Sequence, residues 1–180
     1  MGNFKLMHYS ETPIEKLDLD KMYPYYLEFP KPNGLWVTVE GDQCWKQWCL
    51  DEEFNLEGLS YKYEVLLHSY ADILLLDTPQ KIKDLGKDYK YSDALIDQYM
   101  GGIDWKIDWL AFKSKYKGII ISPYYSYWSL ASIRRDVHWY YGWDCASGCI
   151  WDLSCVKEFN FIEHKIYTKE EECQHQPTHR

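Results

Sequence analysis

The chain has 180 residues and a formal net charge of −8, and 46% of its residues are hydrophobic. That is enough for one domain with an ordinary core, and too apolar for a disordered segment. The acidic balance excludes non-specific binding to nucleic acid, whose phosphates require a basic face.

Aromatics make up 18% of the chain, with 17 Tyr and 9 Trp. No charged-then-apolar leader opens the chain, and no stretch approaches the ~20 apolar residues that span a bilayer. The expectation is a cytoplasmic protein without membrane contact, whose six cysteines are reduced thiols.

Residues 4–10 alternate apolar and polar, predicting a first strand that ends in His8, Tyr9 and Ser10. Lys31-Pro32-Asn33-Gly34 is a turn, with Pro second and Gly fourth. Residues 35–39 read as a strand, and Asp42 as the cap of a helix over about 43–54. Residues 61–68 alternate cleanly, with Tyr61, Tyr63, Val65 and Leu67 on the inner face. A short buried strand follows at 73–76. Thr78-Pro79 then opens a helix for which Gly86 is the stop.

Trp105, Trp109, Phe112 and Tyr116 have the spacing of one helix face, ending at Gly118. Residues 118–123 form an apolar strand closed by Pro123, and 149–153 and 158–166 read as the final strands. The polar stretch 168–180 is expected to fray, leaving a single domain over 1–167. Strands outnumber helices without alternating with them, so the class is α+β.

Residues 134–154 concentrate the candidate chemistry. Arg134 and Arg135 are the only arginines before Arg180, suited to forking a phosphate or to pairing with Asp136. Trp139, Tyr140, Tyr141 and Trp143 offer a stacking wall or core packing. Asp144, among apolar neighbours, is a carboxylate either partnered or raised in pKa, or else a loop cap. Cys145 and Cys149 have a spacing that zinc tolerates, but no second ligand pair completes it, and no metal is expected. Cys145 with His138 is a further nucleophile–base pair to weigh. Gly101-Gly102 lacks the context of a phosphate loop.

The order of motifs resembles the ADP-ribosyltransferase-like superfamily, including its His-Tyr-Glu and Arg-Glu-Ser types. The resemblance rests on His8-Tyr9-Ser10 in a first strand and Gly34-Leu35-Trp36-Val37-Thr38 after a turn. It continues in Tyr116 to Ile121 as a late strand and in Gly148 to Val156 as the ending, and so covers most of residues 4–165. It implies split antiparallel sheets with flanking helices and a cleft for NAD as substrate. It also implies cleavage of the nicotinamide–ribose bond with transfer of ADP-ribose to a macromolecule, water or phosphate.

By that resemblance His8 orients the ribose, Tyr9 and Trp36 or Thr38 flank the nicotinamide, Arg134 or Arg135 holds phosphate, and Ser10 and Trp143 complete the cofactor site. The Glu of the third motif is replaced by Ser147, so either Asp144 serves from the adjacent loop or Ser147 acts itself. The departure leaves open a non-catalytic nucleotide- or peptide-binding module, and an RNA 2′-phosphotransferase shares the strand-borne His. His8 also has a plainer reading, a strand-end histidine bonded to backbone.

Overall fold

The computed structural model describes residues 4–24, 31–41, 43–91, 107–130 and 137–167. The expectations for Asp42, Gly101, Gly102, Trp105, Arg134, Arg135, Cys173 and the stretch 168–180 lie outside these residues. The protein is α+β, built on one seven-stranded mixed sheet.

The strands are β1 (Leu6–Ser10), β2 (Leu35–Val39), β3 (Tyr61–Leu67), β4 (Ile73–Leu76), β5 (Gly118–Ile121), β6 (Ser147–Ile150) and β7 (Val156–His164). Their spatial order is β4-β5-β6-β2-β1-β3-β7. All neighbours are antiparallel except β4 and β5. The expectation of two purely antiparallel sheets therefore gives way to one hydrogen-bonded series containing a parallel pair. The helix α2 (Pro79–Asp88) lies in the long connection that such a pair requires.

The series is thin at one place. β1 and β2 share only the pairs Leu6↔Val39 and Met7↔Thr38. Beyond them β1 stays with β3 as far as Ser10↔Tyr61, while β2 stays with β6 as far as Leu35↔Ile150.

Two cores cover the faces of the sheet. Ile119 and Ile121 point into one, beside Trp109, Phe112, Trp139, Tyr140 and Trp143. Ile120 points into the other, with Leu35, Val37, Val65 and Ile150. That two-residue alternation is why β5 is buried along its whole length. A small third cluster, Cys49, Leu56 and Leu59, sits beside α1 (Trp45–Asp51).

Several boundaries differ from the sequence reading. α1 is shorter than 43–54: Gln43 has φ 48°, outside the helical region, and the first helical N–H, at Trp45, bonds the Thr38 hydroxyl. Thr78 caps α2 as expected, but the helix passes through Gly86. Ile82 and Leu85 are buried in the first core, and that packing outweighs the ~1 kcal/mol helix penalty of one glycine. The third helix, α3 (Trp109–Lys113), is short and capped by Asp108, so Tyr116 lies past its end while still packing on Phe112. β6 runs over Ser147–Ile150 rather than 149–153: Ser147 and Gly148 pair with β2, and Asp152 accepts the N–H of Ser154, turning Leu153–Cys155 into a 3₁₀ turn. β7 accordingly begins earlier than expected, at Val156.

Candidate functional site

Where the β1–β2 pairing stops, a cleft of about 650 Å³ opens. Its walls come from distant segments: Met7, His8 and Tyr9 of β1, Lys31 to Asn33 of the turn, and Trp36 to Thr38 of β2. Trp45 of α1, Trp109 of α3, and Asp144, Cys145 and Ser147 complete them. Six of the residues singled out in the sequence thus meet in one place: His8, Tyr9, Trp36, Thr38, Asp144 and Ser147.

His8 lines the cleft from β1. Its Nδ1 is 2.7 Å from the Trp36 carbonyl oxygen. The N–H of Glu40 donates to the Lys5 carbonyl, so alternate pairs along this register, Lys5 with Glu40 and Met7 with Thr38, are the hydrogen-bonded ones. Tyr9 with Trp36 would be the next such pair, so the imidazole takes the acceptor that a continued ladder would use. A carbonyl only accepts, so Nδ1 carries the hydrogen and Nε2 of the neutral ring is left as an acceptor. Burial is the largest influence on the ring and lowers its pKa, which keeps it neutral. The plainer reading of His8 holds for one nitrogen and leaves the other for chemistry.

Thr38 is almost fully buried, and its hydroxyl donates to the Ala146 carbonyl (2.9 Å) while accepting the Trp45 N–H (2.8 Å). Its observed part is to fasten β2 to the segment before β6 and to place α1, with Trp45, against the cleft. Ser147 is buried too, its hydroxyl donating to the Cys145 carbonyl at 3.1 Å. Tyr9 packs on the small cluster beside α1, and burial raises its phenol pKa far above the usual value.

Asp144 faces the cleft and is partnered. Its Oδ2 lies 3.7 Å from the Lys31 ammonium, with both side chains more than a third exposed. A pair that open to solvent is worth about 0–1 kcal/mol, so it orients the carboxylate without locking it.

The other expected contacts are placed differently. Ser10 is not among the cleft walls, and its hydroxyl donates to the Thr12 carbonyl. Trp143 is buried against Trp36, with ring centres 5.3 Å apart, and supports that wall from behind. Trp139 and Tyr140 are core, while Tyr141 is exposed. The Cys145 thiol lines the cleft, but burial pushes its pKa up to about 11, so it stays protonated at neutral pH and is a poor nucleophile. His138 instead bonds the Tyr127 hydroxyl. The described cysteines are all free thiols. Among the described residues no three of His, Cys, Asp and Glu gather as a metal site would require.

Sequence reasoning missed Lys31, Asn33, Trp45 and Trp109 as cleft residues. The turn chemistry of Lys31-Pro32-Asn33-Gly34 was visible, but nothing in the sequence brings a turn lysine to Asp144.

The fold and the cleft define an α+β protein with an aromatic-walled pocket where the β1–β2 pairing of its sheet stops. In comparisons with known proteins the chain matches no family model, no curated protein and no solved structure. Among the described residues no helix is long and apolar enough to cross a membrane.

Proposed function

We propose that this cleft binds NAD and that the protein cleaves the nicotinamide–ribose bond, passing ADP-ribose to a macromolecule, water or phosphate. One observation carries the reading: a carboxylate (Asp144), an aromatic wall (Trp36) and a neutral imidazole (His8) line one cleft where strands β1 and β2 part. A carboxylate there suits the positive charge that develops on the sugar in a glycosidic cleavage through an oxocarbenium-like state.

His8 Nε2 accepts a ribose hydroxyl, holding the sugar while Nδ1 keeps the ring oriented. Trp36 presents its face to the nicotinamide. As the C–N bond breaks, its electron pair leaves with nicotinamide, and the Asp144 carboxylate stabilises the positive charge left on the ribose. The acceptor oxygen then forms its bond to that carbon and gives up its proton to solvent. The α+β class and the motif order support this assignment, and Arg134 and Arg135 keep their expected part in holding phosphate.

The test is nicotinamide release from NAD by the purified protein beside Asp144→Ala. Release should fall by about 100-fold or more in the variant, the scale of losing a preorganised charge-stabilising group. Equal release from both proteins removes Asp144 from the chemistry, and no release from a folded wild type overturns the enzyme.

A second reading, a non-catalytic module using the same cleft for a nucleotide, is favoured by Ser147. The position implied for the third-motif carboxylate carries a buried hydroxyl bonded to backbone. Thermal stabilisation by NAD with no nicotinamide released would identify it, and ~100 times the dissociation constant of ligand should add roughly 2.7 kcal/mol.

A further inference from the structure

Among the described residues that line the cleft, Lys31 is the only lysine or arginine. Its ammonium stands 5.6 Å from the ring centre of Trp36 and 5.7 Å from that of Trp143. The distance of 3.7 Å to Asp144 is beyond hydrogen-bonding range, so among the described residues the three N–H donors of Lys31 have no acceptor.

The side chain passes over Gly142. A Cβ added at Gly142 would lie 3.1 Å from Lys31 Cε, so the missing side chain there makes room for the lysine stem. The neighbouring Lys113 is committed elsewhere, its ammonium on the Asn33 carbonyl and over the Trp151 ring. A chain of net charge −8 repels an anion in general, so an anionic ligand needs a local cation to enter.

We propose that Lys31 is a phosphoryl-binding residue of this cleft, its ammonium taking an oxygen of a phosphate or diphosphate ester whose aromatic portion lies along Trp36. The subsite rests on the proposed function only for placing a nucleotide in this cleft. It also gives the Lys31–Asp144 pair a purpose. A bound phosphoryl oxygen draws the ammonium to itself and leaves the carboxylate free for the sugar, so the site is completed by ligands that carry both groups. A ligand without phosphate leaves the pair closed.

The experiment is calorimetric titration with pyrophosphate, ADP and the phosphate-free nicotinamide riboside, using wild type, Lys31→Met, Lys31→Arg and Gly142→Ala, each shown by its melt to be folded. Lys31→Met keeps an apolar stem over Trp143 and should weaken pyrophosphate and ADP about 10-fold or more, the scale of one charge-assisted hydrogen bond. Nicotinamide riboside should stay within about twofold, because it makes no such bond. Lys31→Arg should retain part of the affinity. Gly142→Ala should weaken the anions in the same direction by displacing the stem, and it keeps the question open to refutation if Lys31→Met does not fold.

Unchanged anion affinity in both Lys31→Met and Gly142→Ala would overturn the subsite, as would a wild type that binds neither pyrophosphate nor ADP. An equal loss for nicotinamide riboside would also overturn it, because that would be collapse of the cleft. Lys31-dependent pyrophosphate binding in a protein that ignores NAD would keep the subsite and remove NAD as the ligand. NAD cleavage with undiminished affinity in Lys31→Met would do the reverse.

Discussion

The two flanks of the cleft are built by different means. On one side, β2 joins β6, β5 and β4, and every residue of β5 and β6 is buried. On the other, β1 joins β3 and β7, and β7 is exposed along most of its length. Trp36, Thr38 and Ser147 lie on the first flank, fixed by a tryptophan-rich core and by hydrogen bonds that leave little slack. His8 and Tyr9 lie on the second. That flank is held by the long β3–β7 pairing and by ring stacking of Tyr63 on Phe159, and the Lys5–Glu40–Lys62 ion pairs tie it to the end of β2.

The β3–β7 register also shifts twice, near Lys62 and near Leu66. Such irregularities blunt an edge strand against pairing with another chain. The difference teaches that this cleft has one rigid wall and one that tolerates adjustment. Their strands pair at Leu6↔Val39 and Met7↔Thr38 and are tied further by Glu40 on Lys5 and Lys62 and by His8 on the Trp36 carbonyl.

The largest expected effect is on the rigid wall. A Cβ at Gly148 would collide with the backbone carbonyl of Ile119 and crowd Ile120, and neither can move without shifting the β5–β6 ladder. Gly148→Ala should therefore cost about 3 kcal/mol or more, at or beyond the upper end for overpacking a core, measured by urea unfolding. A loss under about 1 kcal/mol would show that this wall yields, and the comparison would fail.

Next is the joint between the walls. Thr38→Val keeps the volume but leaves the half-buried Trp45 N–H without its acceptor, which should cost about 1–3 kcal/mol. The cleft face of Trp45 should loosen, read as a more exposed tryptophan emission. Thr38→Ser, which restores the oxygen, should recover most of the stability, and if it does not, the hydroxyl is not what fastens the joint.

The smallest effect belongs to the adjustable wall and follows pH. His8 has its folded pKa below that of the unfolded chain, so as pH falls below about 6.5 the unfolded state binds a proton that the folded state refuses. Stability should be flat above that pH and decline below it, until Glu40, held low by Lys5 and Lys62, begins to titrate in more acid solution. His8→Gln should remove the first part of the decline and leave the acid part. An unchanged profile in the variant would mean that the ring protonates freely in the folded state.

Much of this architecture was legible in the residues. The β2 and β4 strands fall where alternation and apolar runs put them, and Thr78-Pro79 opens its helix as capping chemistry requires. The places where the reading moved share one cause. α1 begins late because a threonine from another strand supplies its cap, and α2 runs past its glycine because Leu85 has a core to enter. β6 begins early because Ser147 and Gly148 have partners in β2. Each of these depends on a contact distant in sequence, and a local pattern has no access to it.

The same division runs through the site. The sequence by itself determined the kinds of group available: a strand-end histidine, an aromatic after a turn, an acid beside small residues. Tertiary structure decided which of them meet. It stopped the β1–β2 ladder after Met7↔Thr38, turned His8 onto the Trp36 carbonyl, buried Trp143 behind the wall, and carried Lys31 to Asp144. Side-chain chemistry is a property of single residues, whereas a cleft belongs to the register of strands that pair across the whole chain.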